Sequence, residues 1–280
     1  MQINELTKVM LRLHIEANNR GLQIYNPYFE QVGFNAVYLL VHNPDPKPLV
    51  QGLRNLNFSG AIPAGFEKSP EFADLLDELT DVSKVIGKVG IVFNKNGKLI
   101  GHYQGGQGLY ASITSKYGKL TGKELVILGS GTVAKGLLLE MQMQNDLPKV
   151  LLVNRTLENA KKLASEFNFV ESIVSLDDLH HQKGDVFVDT TDIGSPWNKG
   201  NEYKYSEEFV KKFKFVADVT FVPLEPQLIK IAKKIGVDCA PGYMMFMHQA
   251  NICTKMILDH ELDFSIYEKI MLKDFADNWS

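Results

Sequence analysis

Cysteine is scarce in this chain. The two present among 280 residues, Cys239 and Cys253, stand far apart and in no CxxC or zinc-type spacing. A disulfide framework and a cysteine-based metal site are therefore poor readings, and no metal is expected. No uninterrupted apolar run approaches the ~20 residues of a membrane span. The first residues are polar and acidic, without the basic-then-apolar order of a secretory signal. Neither sign of charge dominates: 30 Lys and Arg against 33 Asp and Glu leave a net charge of -3. No basic face or run offers a nucleic-acid footprint. Internal repeats and low-complexity segments are absent as well. What is present is 45% hydrophobic and 22% charged residues, the composition of a globular protein with room for one large domain or two medium ones. These features predict a cytoplasmic protein, monomer or homodimer, whose partner is a small-molecule substrate, with no nucleic acid and no membrane.

The N-terminal part reads as alternating strands and helices. Strands are predicted over residues 9–16, 36–41 and 58–63, and helices over 27–32, 49–56 and 71–79. Residues 43–48, rich in proline, read as a turn or linker. Residues 90–93 and 98–102 flank a predicted hairpin turn at 94–97. Gly105-Gly106-Gln107-Gly108 reads as a flexible joint before a helix over 109–117.

From Gly122 the pattern changes. Residues 124–128 form a continuous apolar strand of the buried parallel type. Further strands are predicted at 149–153, 171–173, 186–189, 215–219 and 237–240, with helices running to Met143 and over 158–167. This rhythm indicates a doubly wound parallel sheet. Long helices close the chain at 243–260 and 263–275.

The first of those strands feeds directly into Gly129-Ser130-Gly131-Thr132-Val133-Ala134. Gly129 permits a tight turn, Gly131 lets the backbone approach a pyrophosphate, and Ala134 lets helix pack on strand. The first helical turn then offers free N–H groups to phosphate oxygens. The next strand ends in Asn154-Arg155-Thr156. A carboxylate here would accept from the ribose hydroxyls and repel a 2′-phosphate. A neutral Asn followed by a guanidinium favours NADP over NAD. Thr190 and Thr191 end a later strand on the same edge and are candidates to line the crevice; a plain strand-end turn is the other reading.

In order and spacing, the chain resembles the shikimate dehydrogenase family over nearly its full length. The resemblance rests on Gly33-Phe34-Asn35-Ala36-Val37-Tyr38, Asp77-Glu78-Leu79-Thr80, Gly97-Lys98-Leu99-Ile100-Gly101, Gly129-Ser130-Gly131, Asn154-Arg155-Thr156, Asp218-Val219-Thr220 and Pro241-Gly242-Tyr243-Met244. It implies an α/β fold in two domains. Residues 1–106 would form an N-terminal α/β substrate domain, and 107–242 an NADP-binding Rossmann domain. C-terminal helices from about 243–280 would return to the first domain. The resemblance adds Gly242 to the cofactor set and Gln249 to the substrate set. Elsewhere the chain departs from the family. Thr132 replaces a glycine of the phosphate loop. Asn159 replaces a basic residue, for which Lys161 or Lys162 is a candidate substitute. The family's Ser-x-Ser-Pro substrate segment becomes Asn19-Arg20-Gly21-Leu22. Its catalytic lysine falls on Gly65 or on Ser69, beside Lys68, depending on the anchor used. Its catalytic aspartate becomes Gly105, within Tyr103-Gln104-Gly105-Gly106, and a tyrosine becomes Phe221.

Oxidising a secondary alcohol, or reducing a ketone, requires handling the hydroxyl proton as well as the hydride. Lys68, Tyr103, His102 and Lys88 are candidates for the lost groups, Tyr103 as a proton donor, against ordinary packing or solvation for each. Arg20 is a candidate for binding a substrate carboxylate. His248 reads as a core histidine, and His180-His181 as a solvated pair. The expected function is an NADP-dependent oxidoreductase acting on a small alcohol or ketone, with specificity altered from shikimate. The alternative is a catalytically inactive NADP(H)-binding paralogue acting as a sensor.

Overall fold

The computed structural model describes residues 3–14, 21–196, 198 and 204–278. The chain divides into two compact units: Met1–Gln104 with Gln249–Asn278, and Gly105–His248. Residues 243–248 group with the second unit, where the sequence suggested that they complete the first.

The first unit contains β1 (Lys8–His14), α1 (Leu22–Gln31), β2 (Ala36–His42), α2 (Pro46–Asn55), β3 (Gly60–Ala64), α3 (Pro70–Asp74), β4 (Glu78–Leu79), α4 (Asp81–Ile86), β5 (Ile91–Lys95) and β6 (Lys98–His102). Its sheet runs β2-β1-β3-β5-β6-β4. β1 is parallel to β2 and β3, whereas β5 is antiparallel to β3 and β6. Leu11, Leu13, Leu53, Phe72 and Val92 form part of its core. Full burial of such side chains contributes roughly 1.5–3 kcal/mol each.

Two expectations fail here for identifiable reasons. The supposed turn at 43–48 is the start of α2: Asp45 caps the helix by accepting from Lys47 N, and Pro46 occupies the first turn, where its missing N–H costs nothing. The supposed helix at 71–79 ends at Asp74. Glu78 and Leu79 instead pair with β6 as a short parallel strand, and Thr80 then caps α4.

The second unit contains α5 (Gly105–Tyr117), β7 (Glu124–Leu128), α6 (Thr132–Met143), β8 (Lys149–Asn154), α7 (Leu157–Ala164), β9 (Val170–Ser175), a 3-10 turn (Leu176–His181), β10 (Val186–Asp189), α8 (Glu207–Val210), β11 (Phe215–Asp218), α9 (Gln227–Ile235) and β12 (Asp238–Ala240). α10 (Gly242–Leu258) and α11 (Phe264–Asn278) follow. The six strands run β12-β11-β10-β7-β8-β9 and every pairing is parallel. Strand order reverses at β7 and β10, the arrangement of a doubly wound dinucleotide-binding sheet. Both faces are covered: Leu125 and Ile127 of β7 enter one apolar cluster, Val126 and Leu128 the other.

The glycines at 105–108 are no flexible joint. They open α5, because a Cβ on Gly106 would lie 2.1 Å from the backbone of Gly136. Absence of a side chain lets α5 and α6 approach backbone to backbone.

Candidate functional site

The β7–α6 turn begins at Gly129, with φ at 106°. A Cβ there would lie 2.5 Å from Thr190 Oγ1, so only glycine lets the ends of β7 and β10 meet. Gly129 N donates to Val153 O at 2.8 Å, which ties the turn to β8. Gly131 is the N-cap of α6 and supplies no side-chain acceptor. A Cβ on Gly131 would meet nothing within 4 Å. The first amides of α6 are thus left to whatever occupies that open space, and an anion suits them.

The space is a cavity of about 670 Å³. Gly129, Ser130, Gly131, Asn154, Arg155, Thr156, Thr190 and Thr191 line it, together with Asn159, Leu176, Asp192, Ile193 and Asn198. Four residues of the expected cofactor set stand elsewhere. Ala134 is fully buried in the core and Val133 packs against it. Thr132 is half-buried and absent from the lining. Gly242 sits where a Cβ would lie 2.4 Å from Thr220 O, so its smallness serves a close approach of α10 to that strand end.

Asn154 Nδ2 donates to Thr156 O at 2.8 Å and folds the β8 end back on itself. Arg155 is exposed, and no carboxylate pairs with it among the described residues. Lys161 pairs with Glu158 at 2.7 Å, and neither Lys161 nor Lys162 lines the cavity.

Behind Thr190 and Thr191, and not in the lining itself, lie two carboxylates that the sequence reading missed. Asp189 and Asp218 lie opposite each other on β10 and β11, buried to 1% and 3% exposure. Asp189 accepts from Thr191 N at 2.8 Å, Thr191 Oγ1 at 2.6 Å and the Tyr205 hydroxyl at 2.5 Å. Asp218 accepts from Thr220 N at 2.8 Å. Burial pushes both carboxyls above the usual range, Asp218 further because Asp189 lies beside it. Two adjacent buried carboxyls without a cation cannot both ionise freely. Asp189, with three donors, is the one suited to carry the charge. Both residues end strands on one edge of the sheet, and that was the available signal.

In the first unit, Lys68 is exposed and Tyr103 half-buried. Burial pushes the Tyr103 phenol up to about 12, with Glu67 adding to the shift. Burial lowers Lys88, and Lys68 lowers it further, while Glu67 opposes them. Glu67, a residue the sequence reading did not single out, is thus the charge that acts on both Lys88 and Tyr103. Glu67 Oε2 accepts from Gly65 N at 2.9 Å. Neither alternative position for the family's lysine holds a base: Gly65 is a positive-φ turn residue, and Ser69 caps α3 by accepting from Phe72 N. Gln249 is half-buried on α10, and Arg20 lies outside the described residues. His102 is buried against Thr80 Oγ1 at 3.0 Å. His248 lies 3.4 Å from Ser115 Oγ, and burial lowers its pKa. Among the described residues no group of three His, Cys, Asp or Glu is placed to hold a metal ion. No helix there is long and apolar enough to cross a membrane.

The model of the family described as shikimate / quinate 5-dehydrogenase matches residues 111–225. A shikimate dehydrogenase (NADP(+)) of Caldanaerobacter subterraneus subsp. tengcongensis is 30% identical over 280 residues, covering 96% of this chain and 99% of that protein. Among solved structures, a shikimate dehydrogenase in complex with NADP+ superposes with a TM-score of 0.81 at 25% identity, covering 97% of both chains. A 5-ketofructose reductase of Gluconobacter sp. strain CHM43, at 22% identity, shares the fold with a TM-score of 0.78 over 96% of this chain and 99% of that one.

Proposed function

Because the chain belongs to the shikimate dehydrogenase family, we propose that it is an NADP-dependent oxidoreductase acting on a small alcohol or ketone, with specificity altered from shikimate. The observation that carries this reading is the cavity at the strand-order reversal, where an uncapped α6 and the unpaired Arg155 face one space. That donor set fits a dinucleotide phosphate: amides for the pyrophosphate, and a guanidinium for the 2′-phosphate. Gly129, Ser130, Gly131, Asn154, Arg155, Thr156, Thr190 and Thr191 would hold it. Thr132, Val133, Ala134 and Gly242 would shape the site through backbone and packing.

When bound, NADPH supplies the hydride that a carbonyl carbon accepts. The chain must then protonate the developing alkoxide. Tyr103 suits that step. Its raised pKa keeps the phenol protonated at neutral pH, and an alkoxide is basic enough to take the proton. Lys88, which feels the same Glu67 charge, and Lys68 would place positive charge near the same oxygen. Gln249 would orient the substrate, as would Arg20. The altered specificity is supported by the absence of a base at Gly65, Ser69 and Gly105.

The test has two stages. Titration of NADPH fluorescence should show saturable binding that Arg155→Ala weakens. Incubation with shikimate and NADP+, and with ketones and NADPH, should then show turnover on a ketone exceeding that on shikimate. Full activity on shikimate would refute altered specificity. Binding without any turnover would leave an NADP(H)-binding regulator.

A further inference from the structure

The hydrogen bonds at the ends of β10 and β11 close into one circuit. Asp189 accepts from both the amide and the hydroxyl of Thr191. The same hydroxyl accepts from Ile193 N at 3.3 Å. Ile193 O in turn accepts from Thr220 Oγ1 at 3.5 Å, and Thr220 N donates to Asp218. Strand pairing sets Asp218 opposite Asp189 and completes the circuit. Thr191 and Ile193 line the nucleotide cavity. This part of the wall is thus a short arc of chain tied down at each end by a buried carboxyl.

The groups facing the pair accommodate one negative charge, not two. Tyr205 donates its hydroxyl to Asp189 from the segment before α8. Asp192, on the arc itself, adds a third carboxylate whose charge opposes ionisation of Asp189. Asp218 also lines a second pocket, of about 310 Å³, with Lys204, Glu225 and Lys230. Glu225 is paired with Lys233. Among the described residues no lysine or arginine pairs with Asp189 or Asp218. The neighbouring end of β7, Leu128 and Gly129, brings no charge. Asp189 has three donors, whereas Asp218 has only those of Thr220. At 3% exposure, a second charge on Asp218 could be hydrated only by parting the arc from the strand ends.

We propose that Asp189 and Asp218 position the Thr191–Ile193 wall as a singly protonated pair, and that NADP(H) binding is linked to this proton. The link rests on the proposed NADP dependence. Neither carboxyl lines the cavity, so both act through the wall. A dinucleotide brings several negative charges to the other side of that wall and favours the protonated pair. The bound state therefore holds the proton to higher pH than the free state. Affinity is full below the free-state midpoint, falls as pH rises from there to the bound-state midpoint, and is level beyond it.

Titration calorimetry of the full chain with NADP+ tests the link. Run from pH 5.5 to 9 in buffers of different ionisation enthalpy, it counts the protons taken up on binding. The 2′-phosphate titrates near ~6 and gives proton release at the acid end, in wild type and variant alike. Wild type should lose affinity about tenfold from its maximum towards pH 9, with uptake of up to one proton along that fall. Asp218→Asn is neutral at every pH and keeps an oxygen for Thr220 N. It should match wild type at the affinity maximum, hold that affinity to pH 9 and take up no proton. A merely structural role would weaken binding alike at every pH. Should Asp218→Asn fail to fold, Tyr205→Phe serves instead. Removing one donor from Asp189 favours the protonated pair, so the alkaline fall should move up by about one pH unit. A level wild-type profile, parallel profiles in wild type and Asp218→Asn, uniform weakening in that variant, or an unmoved fall in Tyr205→Phe would each overturn the link and leave a dinucleotide site. No binding of NADP+ at any pH would refute the NADP-dependent reading itself, and the link with it.

Discussion

The two units present their polar groups in different ways. In the second unit the sheet is wholly parallel, and the candidate site lies along one edge of it, built largely from backbone: a positive-φ glycine, an uncapped helix start and a strand end folded back on itself. In the first unit the sheet is mixed, and the candidate groups are side chains, namely Glu67, Lys68, Tyr103 and Gln249. Recognition by backbone depends on a few glycines and tolerates change around them. Recognition by side chains is lost or rewritten by single substitutions. The loss of family groups proposed for the first unit, beside a retained nucleotide-binding pattern in the second, would follow from that difference.

The contrast can be broken at several points. Tyr103→Phe should lower kcat for ketone reduction by roughly 10²–10⁴-fold, with NADPH affinity unchanged in a fluorescence titration. An equal fall in nucleotide affinity would erase the separation between the units. Arg155→Ala should weaken NADPH binding by about 1.5–3 kcal/mol, or roughly 10–100-fold, and leave NADH nearly untouched. If both dinucleotides weaken alike, Arg155 is not reading the 2′-phosphate.

The next effect concerns stability. Burial and Asp189 hold the Asp218 carboxyl well above its unfolded range, so the folded state keeps this proton to higher pH than the unfolded state. The associated stability is fully present below the unfolded value of about 4 and is lost as pH rises from there towards the raised folded value. Asp218→Asn removes the titration. Denaturant melts from pH 4 to 8 should show a flatter profile, with the variant gaining about 1–3 kcal/mol at the upper end. Parallel profiles would mean that the pair does not hold a proton. The smallest effect is expected at Lys161→Ala. That residue and Glu158 are 61% and 79% exposed, so less than about 0.5 kcal/mol should be lost and NADPH binding should not change.

The doubly wound sheet was legible because β7 and β10 are short apolar runs at fixed positions relative to the Gly129 turn. Two helices were misread for opposite reasons. Pro46 looks like a breaker but opens α2, since position within the helix decides what a proline costs. The glycines of α5 look like a hinge, yet Gly106 is small because another backbone lies against it. Within the candidate site, strand-end residues such as Asn154, Arg155 and Thr190 could be named from spacing alone. Leu176, Ile193 and Asn198 could not, because the loops that carry them reach the cavity only through tertiary packing. The Asp189–Asp218 pairing depends on register between β10 and β11, whose ends are separated by a long loop and α8.

The division of the chain also bears on the order in which it folds. The second unit is continuous from Gly105 to His248, whereas the first needs Gln249–Asn278 in addition to its own N-terminal segment. On the ribosome, the nucleotide-binding unit is complete before the last helix has been made. The N-terminal segment, though synthesised first, waits longest for its partners, and its early contacts must tolerate that delay. Closing so long a loop is entropically slow. Until α11 arrives, Tyr25 and Tyr28 of α1 lack Tyr267, one of the rings they pack against, so chaperone capture or aggregation during synthesis would begin at this aromatic surface.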